Sequence, residues 1–335
     1  MALKIAINGF GRIGRLVYRA ILENDDKDIN VVCINDLGPP NSNAHLLKFD
    51  TIHGILPHNV EVEGDYILVD HRPVKVTAEK DPLKLPWEEL GVDIALECTG
   101  LFTSKIAASA HLNAGAKKVL ISAPASEADI TVVYGVNSDK LTPDHRIVSN
   151  ASCTTNCLAP VAHVLHEAMG IERGFMTTIH SFTGDQRTVD TLHGDLHRAR
   201  TASVSMIPTS TGAARAVGLV LPELEGKIDG TSIRVPTPNV SVIDFKFVPT
   251  KATDIDSVND AIKDASEGKL KGILSTNELP LVSVDFNHNP HSSIFDLAET
   301  QVIESQFVRV MSWYDNEWGF SNRMIDTAKA MGNLL

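Results

Sequence analysis

Two cysteines lie four residues apart in the segment 151–157, which reads Ala-Ser-Cys-Thr-Thr-Asn-Cys and runs directly into an apolar stretch with helical spacing. Cys153 therefore falls in the predicted first turn of a helix, where unpaired backbone N–H groups and the helix dipole favour an anion. We expect its thiol to lose a proton more readily than a free thiol, as a nucleophile requires. A buried structural cysteine is the alternative interpretation of this segment taken alone.

A thiol nucleophile needs a base, and His180 is the candidate. It lies inside a strand-like run that reads Thr-Thr-Ile-His-Ser-Phe-Thr, and a strand would hold its imidazole rigidly. A cysteine with a histidine distant in sequence is the expected pattern of an activated thiol. The alternative for a single such residue is a half-buried structural histidine.

A second pattern that can do chemistry lies at the beginning of the chain. A strand-like run at 3–7 is followed by Asn8-Gly-Phe-Gly-Arg-Ile-Gly14, a helical pattern, a second strand-like run and then Asp36, which lies 22 residues after Gly14. This arrangement predicts a dinucleotide site, with the pyrophosphate at the helix N-terminus and Asp36 on the ribose hydroxyls. The same carboxylate would repel a 2′-phosphate. A glycine-rich turn without a ligand is the alternative.

The elements that must position these residues differ between the two halves of the chain. In the first half we predict further strands at 93–97, 118–122, 130–136 and 146–149, and a helix at 106–114 capped by Ser104. The alternation predicts an α/β domain over residues 1–151, a Rossmann-type doubly wound parallel sheet. Thr99, Gly100 and Ser122 fall at carboxyl ends of strands, where such sheets bind ligands, so they are candidate cofactor contacts. As small residues, they are equally typical of strand-to-helix turns.

The second half is dominated by strand signals. We predict strands at 175–182, 232–235, 240–248, 281–286, 294–297 and 307–314, and helices at 254–265 and 320–334. This pattern predicts an α+β catalytic domain with a mixed or antiparallel sheet over residues 152–318, and a C-terminal helix, 319–335, that packs back on the first domain. Residues 184–206 are polar and lack a period, so they predict a functional or interfacial loop.

Composition narrows the classes of function. The 335-residue chain has a net charge of −12, with 43% hydrophobic and 21% charged residues, so neither nucleic acid nor a membrane is an expected partner. Four cysteines make no disulfide framework, and with no signal-peptide pattern we expect a cytoplasmic protein. No metal site is expected, because Cys153, Cys157, His163 and His166 would span about 20 Å along one helix and cannot converge on zinc.

Taken together, these segments resemble the phosphorylating glyceraldehyde-3-phosphate dehydrogenase family along nearly the whole chain. The similar segments are 8–15, 34–36, 97–100, 121–124, 151–157, 180–183, 208–214, 234–238 and 313–319. The cysteine segment is the most specific of them. The resemblance implies oxidation of D-glyceraldehyde 3-phosphate to 1,3-bisphosphoglycerate with NAD and inorganic phosphate, through a cysteine thiohemiacetal and thioester, in a homotetramer.

The resemblance also implies a role for each matching residue. Cys153 attacks the aldehyde and His180 accepts the proton. One anion site uses Thr183 and Arg234, with Arg198 near the phosphates. The residues implied at the other anion site are Ser152, Thr154, Thr211 and Gly212. The residues implied to hold the cofactor are Asn8, Gly9, Phe10, Gly11, Arg12, Ile13, Asp36, Lys80, Thr99, Gly100, Ser122 and Asn316, the last of these on the nicotinamide amide.

Three departures from the family pattern qualify these implications. His197 stands where family members often have Arg, and Phe320 where they often have Tyr. Thr191-Leu192 matches neither the NAD-type nor the NADP-type pair of the family, which leaves use of NADP open. Erythrose-4-phosphate dehydrogenase is the close alternative. A non-catalytic binding scaffold is the alternative from another class, although Cys153, His180 and Arg234 are all present.

Overall fold

The structure, a computed structural model, describes residues 2–335. The chain forms two compact units. The first contains the residues up to 134, residues 138–151 and residues 321–335, and the second contains residues 135–137 and 152–320.

A nine-stranded sheet forms the centre of the first unit. The strands of this unit are β1 (Leu3–Asn8), β2 (Ile29–Asn35), β3 (Phe49–Asp50), β4 (Gly54–Ile55), β5 (Val60–Glu63), β6 (Tyr66–Val69), β7 (Arg72–Thr77), β8 (Ile94–Glu97), β9 (Lys118–Ile121), β10 (Ile130–Thr131) and β11 (Ile147–Ser149). The order is β10-β11-β9-β8-β1-β2-β7-β6-β5, and β3 and β4 pair separately. Every pairing from β10 to β7 is parallel, and β6 and β5 add an antiparallel extension. The predicted Rossmann-type parallel sheet is confirmed.

Helices connect these strands. The helices of the first unit are α1 (Arg12–Glu23), α2 (Pro40–Lys48), α3 (Trp87–Leu90) and α4 (Lys105–Asn113). Helix α1 buries an apolar face with helical spacing that includes Leu16, Val17 and Ala20. It also approaches the turn before it so closely that a Cβ at Gly14 would lie 2.1 Å from the carbonyl oxygen of Gly9. Only glycine permits that contact, as the glycine-rich pattern predicts.

A seven-stranded mixed sheet forms the second unit. Its strands are β12 (Ile171–Ser181), β13 (Ile207–Thr209), β14 (Ile228–Val235), β15 (Ser241–Pro249), β16 (Leu274–Asn277), β17 (Ser293–Ile303) and β18 (Phe307–Tyr314). The order is β13-β14-β12-β15-β18-β17-β16, with β12–β14 and β16–β17 parallel and the other pairs antiparallel. The helices that follow are α5 (Cys153–Met169), α6 (Val217–Val220), α7 (Ile255–Glu267) and α8 (Trp318–Gly332). The predicted α+β character with a mixed sheet is confirmed.

The last helix contributes to the first unit from residue 321 onward. Thr327 donates a hydrogen bond of 2.8 Å to the side chain of Asn150, and Lys329 forms an ion pair of 2.5 Å with Asp26. These contacts hold the C-terminal residues of α8 on the unit that contains β1 and β2.

Two predicted strands are wrong. Residues 283–286 form a 3-10 turn rather than part of a strand, because the Asp285 carboxylate accepts the Val282 N–H and closes the turn. Val284 is exposed there while Phe286 is buried. The strand predicted at 130–136 ends after two residues, at Thr131. Helix α2 and the strands β5, β6 and β7 were not predicted.

Candidate active site

One helix start and three strand ends meet around Cys153 in the second unit. Ser152 caps α5, its side chain accepting the backbone N–H three residues further on, so Cys153 is the first helical residue. His180 lies next to last in β12, and the parallel register places it opposite Arg234 of β14. Strand β18 ends at Tyr314. A thiol, an imidazole, a guanidinium and a phenol are thereby grouped, as expected for the first three.

The thiol and the imidazole are in direct contact. Cys153 Sγ lies 3.5 Å from His180 Nε2, and His180 Nδ1 lies 2.7 Å from the carbonyl oxygen of Ser181. When Nδ1–H donates to that carbonyl, the lone pair of Nε2 faces the thiol. The imidazole is then placed to accept the thiol proton.

Arg234 also contacts the imidazole. Its Nη1 lies 2.8 Å from His180 Nδ1 and 3.1 Å from the Ser181 carbonyl oxygen. If the guanidinium donates to Nδ1, the imidazole proton must sit on Nε2, and the ring loses its basic nitrogen toward the thiol. The tautomer of His180 is therefore coupled to the hydrogen bonds of Arg234.

Burial sets the protonation of this pair. It raises the pKa of the Cys153 thiol, and the Arg234 charge and hydrogen bonds from Thr154 offset only part of that rise. Burial, together with Arg234, lowers the pKa of His180 to about 3. At neutral pH the pair is therefore a thiol and a neutral imidazole. The expectation of a readily ionised thiol is wrong for this structure, because the cost of desolvating the thiolate exceeds the benefit of the helix N-terminus.

Tyr314 joins the two elements that carry the pair. Its hydroxyl lies 2.8 Å from Thr154 Oγ1 in α5 and 2.8 Å from Thr178 Oγ1 in β12. Its ring meets the His180 ring edge-on, with centroids 5.9 Å apart and planes at 82°. Sequence reasoning missed Tyr314 as a site residue, although it lies two residues before Asn316.

Arg234 has donor capacity that the protein does not use. Its Nε is buried and has no hydrogen-bond partner among residues 2–335. An unsatisfied N–H of a cation is costly in the interior, so it favours an anionic ligand. This agrees with the predicted anion site at Arg234.

Arg198 and Thr183, both predicted anion ligands, already form hydrogen bonds to other groups of the protein. Arg198 forms an ion pair with Asp185 and donates to the Ser210 carbonyl oxygen at 3.4 Å. The Thr183 hydroxyl and N–H both donate to the side chain of Gln186. Asp185, which sequence reasoning missed, pairs with Nη1 of Arg198, and Asp195 lies 3.5 Å from its Nε, so an anion at Arg198 must share or replace these ion pairs.

Residues 210–213 are tied to the start of α5. Thr155 Oγ1 donates to the Ala213 carbonyl oxygen at 3.2 Å, and Thr211 Oγ1 accepts the Ala213 N–H at 3.1 Å. Nothing lies within 4 Å of the position that a Cβ at Gly212 would take. Thr211 and Gly212 therefore form an open turn attached to the helix that carries Cys153.

The structure does not present the hydroxyls of Ser152 and Thr154 as free anion ligands. Ser152 Oγ accepts the Thr155 N–H and also contacts the Thr155 hydroxyl at 2.8 Å. The Thr154 side chain is 4% exposed and directed at Tyr314. In this structure these hydroxyls cap the helix and form hydrogen bonds in the core, and their implied roles at the anion site stay predictions.

A cleft of about 490 Å³ lies along the carboxyl ends of the parallel strands in the first unit. Its lining residues are Asn8, Gly9, Gly11, Asn35, Asp36, Leu37, Glu79, Lys80, Cys98, Thr99, Leu101 and Phe102. The start of α1 faces it with no side chain capping its first-turn N–H groups, and nothing lies within 4 Å of a Cβ built at Gly11. Uncapped N–H groups beside an open glycine suit a pyrophosphate, so the residues fit a dinucleotide.

Asp36 is held at the end of β2 by two backbone donors. Its Oδ2 accepts the Phe10 N–H at 2.8 Å and its Oδ1 accepts the Gly38 N–H at 3.1 Å. Each oxygen keeps a lone pair for a ribose hydroxyl. The Phe10 N–H is therefore committed to Asp36, and the Phe10 side chain is buried in the core.

Other predicted cofactor residues do not line this cleft. Arg12 forms an ion pair with the buried carboxylate of Asp50. Burial disfavours ionisation of Asp50, but Arg12 and two backbone N–H groups hold its pKa at about 2. Ser122 lies at the end of β9, where its N–H donates to the Glu97 carbonyl oxygen. Ile13 and Gly100 are absent from the lining as well.

Asn316 belongs to the second unit, where two buried serines orient it. The hydroxyls of Ser181 and Ser241 donate to Asn316 Oδ1 at 2.8 and 2.9 Å. Because the carbonyl oxygen is occupied, the NH₂ group is the end that remains for a ligand.

Two further findings concern residues 2–335 as a whole. In this range no helix is both long enough and apolar enough to cross a membrane. No three His, Cys, Asp or Glu side chains are grouped there so that they could hold a metal ion.

Comparisons with known proteins agree with this geometry. Residues 3–105 match the NAD binding domain of glyceraldehyde 3-phosphate dehydrogenase, and residues 152–316 match its C-terminal domain. Proteins named glyceraldehyde-3-phosphate dehydrogenase are similar along the full length of both chains: that of Xanthobacter flavus is 67% identical, that of Cereibacter sphaeroides 62% and that of Zymomonas mobilis 60%. With a thiol and imidazole in contact in one unit and a dinucleotide cleft in the other, the chain belongs to the glyceraldehyde-3-phosphate dehydrogenase family.

Proposed function

We propose that this NAD-dependent enzyme oxidises D-glyceraldehyde 3-phosphate and phosphorylates the product to 1,3-bisphosphoglycerate, with Cys153 as nucleophile and His180 as base. The observation that carries the proposal is the 3.5 Å contact between Cys153 Sγ and His180 Nε2 beside Arg234. A non-catalytic scaffold would have no need of a thiol, a base and a cation with spare donors at one point.

The first half of the reaction uses the neutral imidazole. His180 takes the thiol proton as sulfur attacks the aldehyde carbon and passes it to the former carbonyl oxygen, which makes a thiohemiacetal on Cys153 and leaves the imidazole neutral again. An anionic substrate group that draws Arg234 from His180 Nδ1 would leave that nitrogen to donate to Ser181, which favours the basic tautomer. Substrate binding and activation of the base are thus linked through one guanidinium.

The second half resolves the thioester. NAD bound in the cleft would supply the acceptor for the hydride that leaves the thiohemiacetal carbon. His180 takes the hydroxyl proton of the thiohemiacetal as the thioester forms. Inorganic phosphate then attacks the thioester carbon and Cys153 leaves as a thiolate. Thr211 and Gly212, in the turn tied to the start of α5, and Arg198 suit the attacking phosphate, while Arg234 suits the substrate phosphate. Thr183 would join Arg234 once its hydroxyl turns away from Gln186. In the same proposal, Asn316 holds the nicotinamide amide through its free NH₂ group.

The experiment that tests this function measures NAD reduction with glyceraldehyde 3-phosphate, with and without inorganic phosphate. We expect turnover to require phosphate. Erythrose 4-phosphate as a better substrate, turned over equally without phosphate, would instead support hydrolysis of the thioester. Absence of turnover with either aldehyde would support a scaffold.

Cofactor preference gives a prediction for Asp36. Its fixed carboxylate should repel a 2′-phosphate, by several kcal/mol at low dielectric and less where water enters. Thr191-Leu192 matches neither the NAD-type nor the NADP-type pair of the family, so we expect a preference for NAD that is clear but incomplete. In Asp36→Gly the preference should narrow or reverse.

The measurement is the ratio of kcat/KM for NAD to that for NADP. Asp139→Ala, which removes a carboxylate outside the cleft, is the control and should leave the ratio unchanged. A wild-type enzyme that uses NADP better than NAD would show that Asp36 does not face the ribose.

We further propose a cytoplasmic homotetramer with the two domains at 1–151 and 152–318. The loop 184–206 supports the assembly, because it is held together internally by Asp190, which binds Arg200 and the Thr201 N–H, yet it exposes large apolar side chains. Leu192 is 91% exposed and Leu196 82%, a pattern typical of an interface. Four free cysteines suit a reducing compartment.

Sedimentation velocity at micromolar concentration tests the assembly. We expect a tetramer for the wild type and smaller species for Leu192→Asp. Ile106→Asp, at an exposed apolar position of α4 in the first unit, is the matched control and should sediment like the wild type. A stable wild-type monomer would refute the proposal.

A further inference from the structure

A continuous series of side-chain hydrogen bonds, buried except for the partly buried last one, crosses the carboxyl ends of β8, β1, β2 and β7. We call it the polar ladder; its members are Trp87, His111, Glu97, Asn8, Asn35 and Thr77. The successive distances are 3.0 Å from the indole Nε1 to His111 Nδ1, 2.9 Å from His111 Nε2 to the Glu97 carboxylate, and 2.6 Å from Asn8 Nδ2 to the same carboxylate. Asn35 Nδ2 then donates to Asn8 Oδ1 at 2.7 Å, and the Thr77 hydroxyl to Asn35 Oδ1 at 2.8 Å.

The direction of each bond in the polar ladder is fixed by chemistry. An indole N–H can only donate, so His111 Nδ1 must accept and its ring proton must sit on Nε2, facing Glu97. The Asn8 amide must likewise direct its NH₂ group to Glu97 and its oxygen to Asn35. A flipped Asn8 would oppose oxygen to carboxylate and NH₂ to NH₂.

Glu97 is the centre of this arrangement. Its side chain is fully buried, and its two oxygens accept four hydrogen bonds. Two come from Asn8 and His111, and two come from the N–H and the hydroxyl of Thr99. All four donors are uncharged, so the carboxylate depends on each of them.

The backbone that Glu97 fixes at Thr99 is in contact with the glycine-rich turn. The Thr99 hydroxyl donates to Glu97 and accepts the Leu101 N–H at 3.0 Å, so it is committed within the protein. A Cβ at Gly9 would lie 2.7 Å from Thr99 N, which means that the turn packs directly on the backbone that Glu97 holds. Asn8, Gly9, Thr99 and Leu101 all line the cleft, whereas Glu97 and His111 do not.

We propose that Glu97 and His111 are positioning residues for the dinucleotide: they contact no ligand but fix the turn at 9–11 and the turn at 99–101 against which it binds. The proposal rests on the assignment of NAD to this cleft. Loss of the His111 donor would leave the carboxylate one hydrogen bond short, and Thr99 and Asn8 would shift to compensate.

The test compares His111→Leu with His111→Gln in the full chain. The amide NH₂ of glutamine can replace the Nε2–H donor, whereas leucine cannot. By titration calorimetry we expect the Kd for NAD to rise about tenfold or more in His111→Leu and to stay within about twofold of wild type in His111→Gln. The alkylation rate of Cys153 without NAD, which reports on the second unit, should be unchanged in both.

Three outcomes would overturn the proposal. One is NAD affinity in His111→Leu equal to that of the wild type. Another is an equal loss of NAD affinity in the two variants that follows the fall in their melting temperatures, which would show a purely structural role. The third is a raised KM for the aldehyde at saturating NAD with an unchanged Kd for NAD.

If His111→Leu fails to fold, Trp87→Phe replaces it in the test. This variant frees His111 Nδ1 but keeps the bond from His111 to Glu97, so the Kd for NAD must rise by less than the tenfold expected for His111→Leu. A wild type that binds no NAD would refute the cofactor assignment instead.

Discussion

Cys153→Ser is expected to lower dehydrogenase activity by roughly 10³-fold or more, since a serine hydroxyl at this position lacks the acidity and nucleophilicity of the thiol. Cys153 is the first residue of α5, in contact with His180, and no other thiol is placed to substitute for it. The measurement is the initial rate of NAD reduction with saturating aldehyde and phosphate. A parallel burst experiment, at enzyme concentrations high enough to see one turnover, should lose its fast phase.

Cys157 provides the matched control. It lies one turn further along the same helix, fully buried, with Sγ 3.3 Å from the Ser293 hydroxyl, and burial raises the pKa of its thiol to about 12. Such a thiol is inert, so Cys157→Ser should keep most of the activity. Near-wild-type activity in Cys153→Ser, or loss of activity in Cys157→Ser alone, would contradict the covalent mechanism.

His180→Asn is expected to slow hydride transfer by about 10²–10⁴-fold, the usual contribution of a positioned base. Asparagine keeps a polar side chain at the end of β12 but cannot take a proton. Because burial and Arg234 hold the pKa of His180 at about 3, the wild-type imidazole is unprotonated, and so able to accept a proton in the reaction, at every pH above that value. The variant should therefore be impaired across the whole range from pH 5 to pH 9.

Alkylation of the thiol provides the second measurement on His180→Asn. Without a proton acceptor 3.5 Å from Sγ, the thiol must lose its proton to water before it reacts, so alkylation should slow near neutral pH and its pH profile should move to higher pH. The direction follows from loss of the group that receives the thiol proton. An unchanged profile would show that His180 is not the partner of Cys153.

The sequence predicted the elements whose patterns are local. The run at 3–7, the glycine-rich turn and the helix that follows appear as β1 and α1 within one or two residues. The run at 281–286 misled because its apolar residues are bounded like a strand. In the structure Phe286 is buried and stacks on Trp313, Leu281 is partly buried, and Val282 and Val284 are exposed. The strands β5 and β6 did carry a signal, since Val60-Glu-Val-Glu alternates before the turn at Gly64.

The chemistry of the site was predictable only in part, because contacts between residues far apart in the sequence decide it. Cys153 and His180 were identified from neighbours in sequence and from the family resemblance. The partners that decide their behaviour are distant: Tyr314 bonds Thr154 across 160 residues, and no local pattern indicates it. The raised pKa of Cys153 was also beyond reach, because it depends on how much protein surrounds the sulfur rather than on the helix that begins there.

The polar ladder has a consequence for how the chain acquires its cofactor site during folding. Its central bond joins Asn8 to Glu97 across 89 residues, and its next bond joins Asn8 to Asn35 across 27. Such contacts require large loops to close, which costs chain entropy before the contacts are gained. A chain that has formed α1 and its glycine-rich turn, but has not yet docked β8 beside β1, has the local motif without the carboxylate that holds it. Recovery of NAD binding after dilution from denaturant therefore reports completion of the sheet, and the cofactor stabilises the finished domain in preference to any partly assembled form.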